Sequence, residues 1–117
     1  MKVLVADDSV FMRVRCARML RDRGYAVAEA AGGLEAITKN REEQPNLVLL
    51  DISMPDLDGL SALEQIGRDN PDARVMMVSA LGQEAVVLEA LRRGADYFLA
   101  KPYDEQRLLG AIDNALR

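Results

Sequence analysis

Five side chains in this 117-residue sequence have the types and surroundings for one kind of chemistry. Asp7 and Asp8 follow the apolar run Val3 to Ala6, and Asp51 follows Leu47 to Leu50. Ser79 follows Val75 to Val78, and Lys101-Pro102 follows Tyr97 to Ala100. Brought together, these would form a cluster of three carboxylates, one hydroxyl and one ammonium. Two carboxylates about 4 Å apart repel by roughly 4 kcal/mol at an effective dielectric of about 20, so three on one rim call for a divalent cation. All-oxygen donors without imidazole or thiolate select magnesium, or manganese, which retain waters and leave space for a phosphoryl oxygen. Lys101 would then offer a point charge to a phosphate oxygen and Ser79 a hydroxyl donor.

Other chemistries fit less well. The sequence has no histidine, which removes His-dependent triads and zinc hydrolases. The first apolar run leads into Asp7-Asp8-Ser9, where a dinucleotide turn or a P-loop needs glycines. Asp56-Leu57-Asp58-Gly59 hints at a calcium loop, but matching Gly59 to the loop glycine puts Met54 first and Gln65 twelfth, and neither ligates calcium through a carboxylate.

The elements that must position these residues follow from the pattern of apolar runs. Val3 to Ala6, Leu47 to Leu50, Val75 to Val78 and Tyr97 to Ala100 are short, apolar and bounded by polar or turn residues, as buried strands are. Ala26 to Ala30, with an outward Glu29, suits a fifth strand nearer the sheet edge. From Ser9 to Arg23 the residues Met12, Cys16, Met19 and Leu20 make an amphipathic stripe that Gly24 stops. Gly33 to Arg41, Ser61 to Arg68, Glu84 to Arg93 and Asp104 to Leu116 are expected to be helices too.

Five strand-helix alternations with short connections predict a parallel sheet with right-handed crossovers and helices on both faces. A flavodoxin-like, doubly wound α/β fold in the order 2-1-3-4-5 fits the count, and in such sheets functional groups gather at the carboxyl ends of strands. The mass of 12.9 kDa is one domain, expected to span residues 1–117. Half the residues are apolar, which is enough for a core. The net charge of −4 and pI near 4.8 argue against direct nucleic-acid binding. A single cysteine, Cys16, excludes an internal disulfide and reads as a small buried hydrophobe. No apolar run reaches the roughly 18 to 20 residues of a membrane span, and the N-terminus is unlike a signal peptide, so a cytoplasmic location is expected.

Taken in order, Asp7-Asp8, Asp51 within Leu50-Asp51-Ile52-Ser53-Met54-Pro55, Asp58-Gly59, Ser79-Ala80, Gly94-Ala95-Asp96 and Lys101-Pro102 resemble the receiver domains of two-component response regulators. The resemblance covers the whole chain and implies the CheY-like form of the fold. It implies that Asp51 is the phosphoacceptor, taking a phosphoryl group from a histidine kinase or phosphotransfer protein to form an aspartyl phosphate. Mg²⁺ would be held by Asp8, Asp51 and the backbone carbonyl of Ser53, with Asp7 acting through water. Lys101, Ser79 and the Ala80 amide would contact the phosphoryl oxygens. The protein would be a switch for a downstream effector, with self-catalysed phosphotransfer and dephosphorylation but no metabolite turnover.

By the same resemblance Ser79 and Phe98 form the switch pair. On apolar pattern alone, Phe98 would be core. The changing surface would be the fourth helix, fifth strand and fifth helix. Ser53 and Leu81 stand where relatives tune the lifetime of the phosphoryl group, and the apolar Leu81 is expected to position an attacking water poorly. Phe11 falls off the apolar stripe near Arg15 and Arg18, an arrangement suited to docking a kinase or phosphotransfer helix bundle. Ser79-Ala80-Leu81-Gly82-Gln83 resembles a segment of chemotaxis-type CheY proteins, so a stand-alone motility regulator and a receiver of a larger regulator both stay open. Two other readings are an aspartyl-nucleophile Mg²⁺-dependent phosphatase, which Ser9 in place of a second Asp disfavours, and a degenerate, phosphorylation-independent receiver, which the intact site set disfavours.

Overall fold

The computed structural model describes residues 1–80 and 82–117. Strands and helices alternate: β1 (Lys2–Ala6), α1 (Val10–Asp22), β2 (Ala26–Ala30), α2 (Gly33–Glu43), β3 (Leu47–Asp51), α3 (Gly59–Asp69), β4 (Arg74–Ser79), α4 (Glu84–Arg92), β5 (Tyr97–Ala100) and α5 (Glu105–Ala115). The sheet is parallel throughout, in the order β2-β1-β3-β4-β5. The expected fold is therefore the observed one, with β2 at an edge.

Because side chains alternate along a strand, each central strand feeds two cores. Leu4, Val48, Leu50, Val75 and Met77 point to one face, where they meet Ala36 of α2, Ala62, Leu63 and Ile66 of α3, and Val87 and Ala90 of α4. Val3, Val5, Leu47, Leu49, Met76 and Val78 point to the other, against Cys16, Met19 and Leu20 of α1 and Leu108, Ile112 and Ala115 of α5. Burying a side chain of Leu, Ile or Met size contributes about 1.5–3 kcal/mol, so continuous apolar runs in the central strands hold both helical layers. The α1 stripe is as expected, with Met12 half-buried at its end.

Two expectations are corrected. Helix α3 begins two residues before Ser61, because the Asp58 carboxylate accepts from Ser61 N–H at 2.9 Å and caps the helix. Gly59 permits this early start, since a Cβ there would lie 2.9 Å from Ile52 Cα. Strand β5 is not uniformly buried: Leu99 is interior, but Phe98 is 54% exposed. The second sheet edge explains this, for β5 has one strand neighbour and Phe98 lies at an open groove beside Leu88 and Leu91.

Candidate functional site

Strand order reverses at β1 and β3, which lie side by side with Ala6 opposite Leu50. Asp7 and Asp51 are the next residues along these two strands, so the topology itself makes them neighbours. Both are buried, each 6% exposed, and both are pinned alike. Asp7 Oδ1 accepts from Ser9 N–H at 2.9 Å, and Asp51 Oδ1 accepts from Ser53 N–H at 3.0 Å. Each carboxylate thus closes a turn with the amide two residues on. Their other oxygens share one cation: Lys101 Nζ lies 2.8 Å from Asp51 Oδ2 and 3.4 Å from Asp7 Oδ2.

Asp8 is exposed, yet its carboxylate joins the group, with one oxygen each from Asp7, Asp8 and Asp51 within 4.8 Å of one another. One ammonium pairs with two of the three carboxylates, and the electrostatics reflect the excess of negative charge. Burial pushes the Asp51 carboxyl above its ordinary value of 3.8, against the opposing pull of Lys101 and Ser53 N–H. Burial alone would lower the Lys101 ammonium, but its hydrogen bond and attraction to Asp51, with Asp7 behind, raise it above 10.5. An all-oxygen cluster short of positive charge suits a hard divalent cation such as Mg²⁺.

Ser79 ends β4 on the same rim, 5% exposed, and its carbonyl accepts from Lys101 N–H at 2.7 Å. Next to it, the exposed Ala80 has its N–H taken: Gln83 Oε1 accepts from it at 2.6 Å. The same carboxamide donates through Nε2 to Ser53 Oγ at 2.7 Å. Gln83 therefore joins the segments after β3 and β4, which the sequence reading did not foresee. Leu81 lies outside the described residues. The cation cluster, Ser79 and Ala80 are together; Phe98 stands apart at the α4–β5 groove, and Phe11 and Arg15 are exposed on α1.

Two further residues support the site without a motif signal. Arg13 Nη1 donates to the Asp7 carbonyl at 2.8 Å, bracing the first turn. The Asp56 carboxylate accepts from Gly33 N–H at 3.0 Å and Leu34 N–H at 3.1 Å, tying the segment after β3 to the start of α2. Asp56 and Asp58 are thus both spent on helix starts, consistent with the rejected calcium loop. Asp58 caps the helix that directly follows it, whereas Asp56 caps a helix 23 positions earlier and leaves no local pattern.

Comparison with known proteins agrees with this geometry. The response regulator receiver domain family matches residues 3–113. Chemotaxis protein CheY of Listeria monocytogenes is 43% identical over 118 aligned positions, covering 100% of this chain and 99% of that protein. Chemotaxis protein CheY of Bacillus subtilis is 40% identical, covering 98% and 97%. Among solved structures, the receiver domain of NtrX from Brucella abortus superposes with a TM-score of 0.92 at 35% identity, covering 97% of each chain. Such agreement in sequence, length and backbone leaves one assignment: this chain belongs to the response regulator receiver domain family and is a signalling switch rather than a metabolic enzyme.

Proposed function

We propose that Asp51 accepts a phosphoryl group and that this sets the signalling state of a single receiver spanning residues 1–117. The double restraint on Asp51, between Lys101 Nζ at 2.8 Å and Ser53 N–H at 3.0 Å, carries the assignment. A carboxylate oxygen of Asp51 forms the O–P bond as the P–N bond of a donor phosphohistidine breaks; the leaving imidazole keeps the electron pair and takes up a proton from solvent. Asp7, Asp8, Asp51 and the Ser53 carbonyl would hold Mg²⁺, or Mn²⁺. That ion supplies positive charge which offsets the carboxylates and the phosphoryl oxygens.

Lys101, Ser79 and the Ala80 amide contact the phosphoryl oxygens. Dephosphorylation is the reverse in outline: water attacks phosphorus, the O–P bond breaks, and Asp51 regains its carboxylate as inorganic phosphate leaves. The apolar Leu81 gives that water no polar partner, so Leu81→Glu should shorten the lifetime of the phosphorylated state. As Ser79 shifts towards the phosphoryl group, Phe98 turns from solvent into the groove of about 320 Å³ lined by Val87, Leu88 and Leu91. Burying the ring contributes about 1.5–3 kcal/mol towards the rearrangement. The α4–β5–α5 face then meets a downstream effector, while Phe11 and Arg15 of α1 receive the histidine kinase or phosphotransfer protein.

The identity to chemotaxis protein CheY relatives over nearly their whole length supports a chemotaxis-type role. Among the described residues no helix is long and apolar enough to cross a membrane. Intact mass after incubation with acetyl phosphate tests the central step. One added phosphoryl group is expected, requiring both Mg²⁺ and Asp51, and absent in Asp51→Asn. No adduct, together with no beryllofluoride binding, would instead favour a phosphorylation-independent interaction module.

A further inference from the structure

We propose that Gln83 is a displaceable latch, holding in the resting protein the amide that the phosphoryl group must take. The inference rests on the assignment of Asp51 as acceptor and of Ala80 N–H as a phosphoryl contact. That N–H is satisfied by Gln83 Oε1 at 2.6 Å, so a phosphoryl oxygen can reach it only by replacing the carboxamide. The replacement favours the phosphoryl group, since hydrogen bonds to charged acceptors are roughly twice as strong as neutral ones.

Gln83 is also placed to transmit the exchange. It is the N-cap residue of α4, yet its side chain makes no capping bond to that helix. Its amide end instead crosses to Ser53 Oγ at 2.7 Å, two residues beyond the acceptor. One rotamer of one side chain therefore ties Ala80 to Ser53 from the residue that leads into α4. Losing the Ala80 bond frees that rotamer, and the tie to Ser53 opens with it, beside the first turn of α4. The latch holds the protein in its resting state and sets the threshold that phosphorylation must overcome. A carboxamide four residues after the switch hydroxyl does this, at a position to which the motif reading gave no role of its own.

Titration of the full chain with beryllofluoride and Mg²⁺, followed through the Ala80 amide resonance, tests this. Wild type should bind, and its Ala80 N–H should exchange slowly before binding. Gln83→Ala should tighten binding roughly two- to tenfold, the range expected for one neutral hydrogen bond, and its free Ala80 N–H should exchange faster. Gln83→Glu keeps the acceptor and adds a charge, so it should weaken binding. Ser53→Ala removes only the far anchor and should tighten binding by less, with no added gain in the double variant. Equal or weaker binding by Gln83→Ala, or a shift in the same direction for the Ala and Glu variants, would overturn the latch. So would a change confined to the hydrolysis rate of the aspartyl phosphate. Wild type that neither binds beryllofluoride nor labels would overturn the acceptor assignment, and the latch with it.

Discussion

Lys101 reaches from the end of β5 past β4 to Asp51 at the end of β3, closing to 2.8 Å across two strand spacings. Strands lie about 4.8 Å apart, so the ammonium bridges close to 10 Å of sheet to pair with the carboxylates of both Asp7 and Asp51. Its removal should be felt in stability as well as chemistry. Lys101→Ala is expected to lower unfolding free energy by about 1–3 kcal/mol without divalent ions, less than for a fully buried pair because the lysine is partly solvated. Urea denaturation should show much of that loss restored by millimolar Mg²⁺, and acetyl phosphate labelling should fall at least tenfold.

Carboxylate crowding makes a second prediction of opposite sign. In the absence of divalent ions, Asp8→Asn removes one of three converging negative charges and should stabilise the protein by up to about 1 kcal/mol. With Mg²⁺ at a hundred times its dissociation constant, wild type should gain about 2.7 kcal/mol, and Asp8→Asn much less. Thermal melts of both proteins across a magnesium series would show crossing curves; parallel curves would count against Asp8 as a ligand.

Docking at α1 can be separated from chemistry at Asp51. Phe11 is 72% exposed, with Arg15 and Arg18 along the same face. Phe11→Ala should slow transfer from a phosphorylated protein donor roughly tenfold, the loss of about 1.4 kcal/mol typical of a buried aromatic anchor. Labelling by acetyl phosphate should keep its wild-type rate, and equal slowing with both donors would refute a docking role.

Acid sensitivity should trace in part to Asp56. Hydrogen bonds from the Leu34 and Gly33 amides hold its carboxyl below the ordinary 3.8. A depressed folded-state value gives stability that is present above 3.8 and is lost as pH falls through the folded value. Unfolding free energy followed from pH 6 to pH 2.5 should therefore decline less steeply for Asp56→Ala than for wild type below pH 4.

At the alkaline end the informative group is Cys16. Burial is the main cause that pushes its thiol from 9.0 up to about 11. The unfolded chain ionises first, so stability should fall as pH rises from 9 towards 11. At pH 8 the native thiol, 2% exposed, should resist a disulfide reagent and react only at the rate of unfolding.

The strands were legible because four apolar runs carry the central sheet, and the rim was legible because polar residues interrupt those runs at their carboxyl ends. Asp7, Asp51, Ser79 and Lys101 could be named from that alone, and the family resemblance added their expected roles. Gln83 and Asp56 could not, since their bonds join loops 30 and 23 residues apart and obey no period. Phe98 misleads for a related reason: an apolar residue in an apolar strand reads as interior until the sheet order shows that β5 has no outer neighbour.

The two cores have a consequence for how such a protein can diversify. Helix α1 rests on one face of the sheet and α4 on the other, and the strands between them are packed on both sides. A substitution on the inward stripe of α1 repacks against a different core from the one that holds α4. The sheet, five strands wide, thus screens α4 from changes in α1, whereas α5, which shares the α1 core, must accommodate them directly.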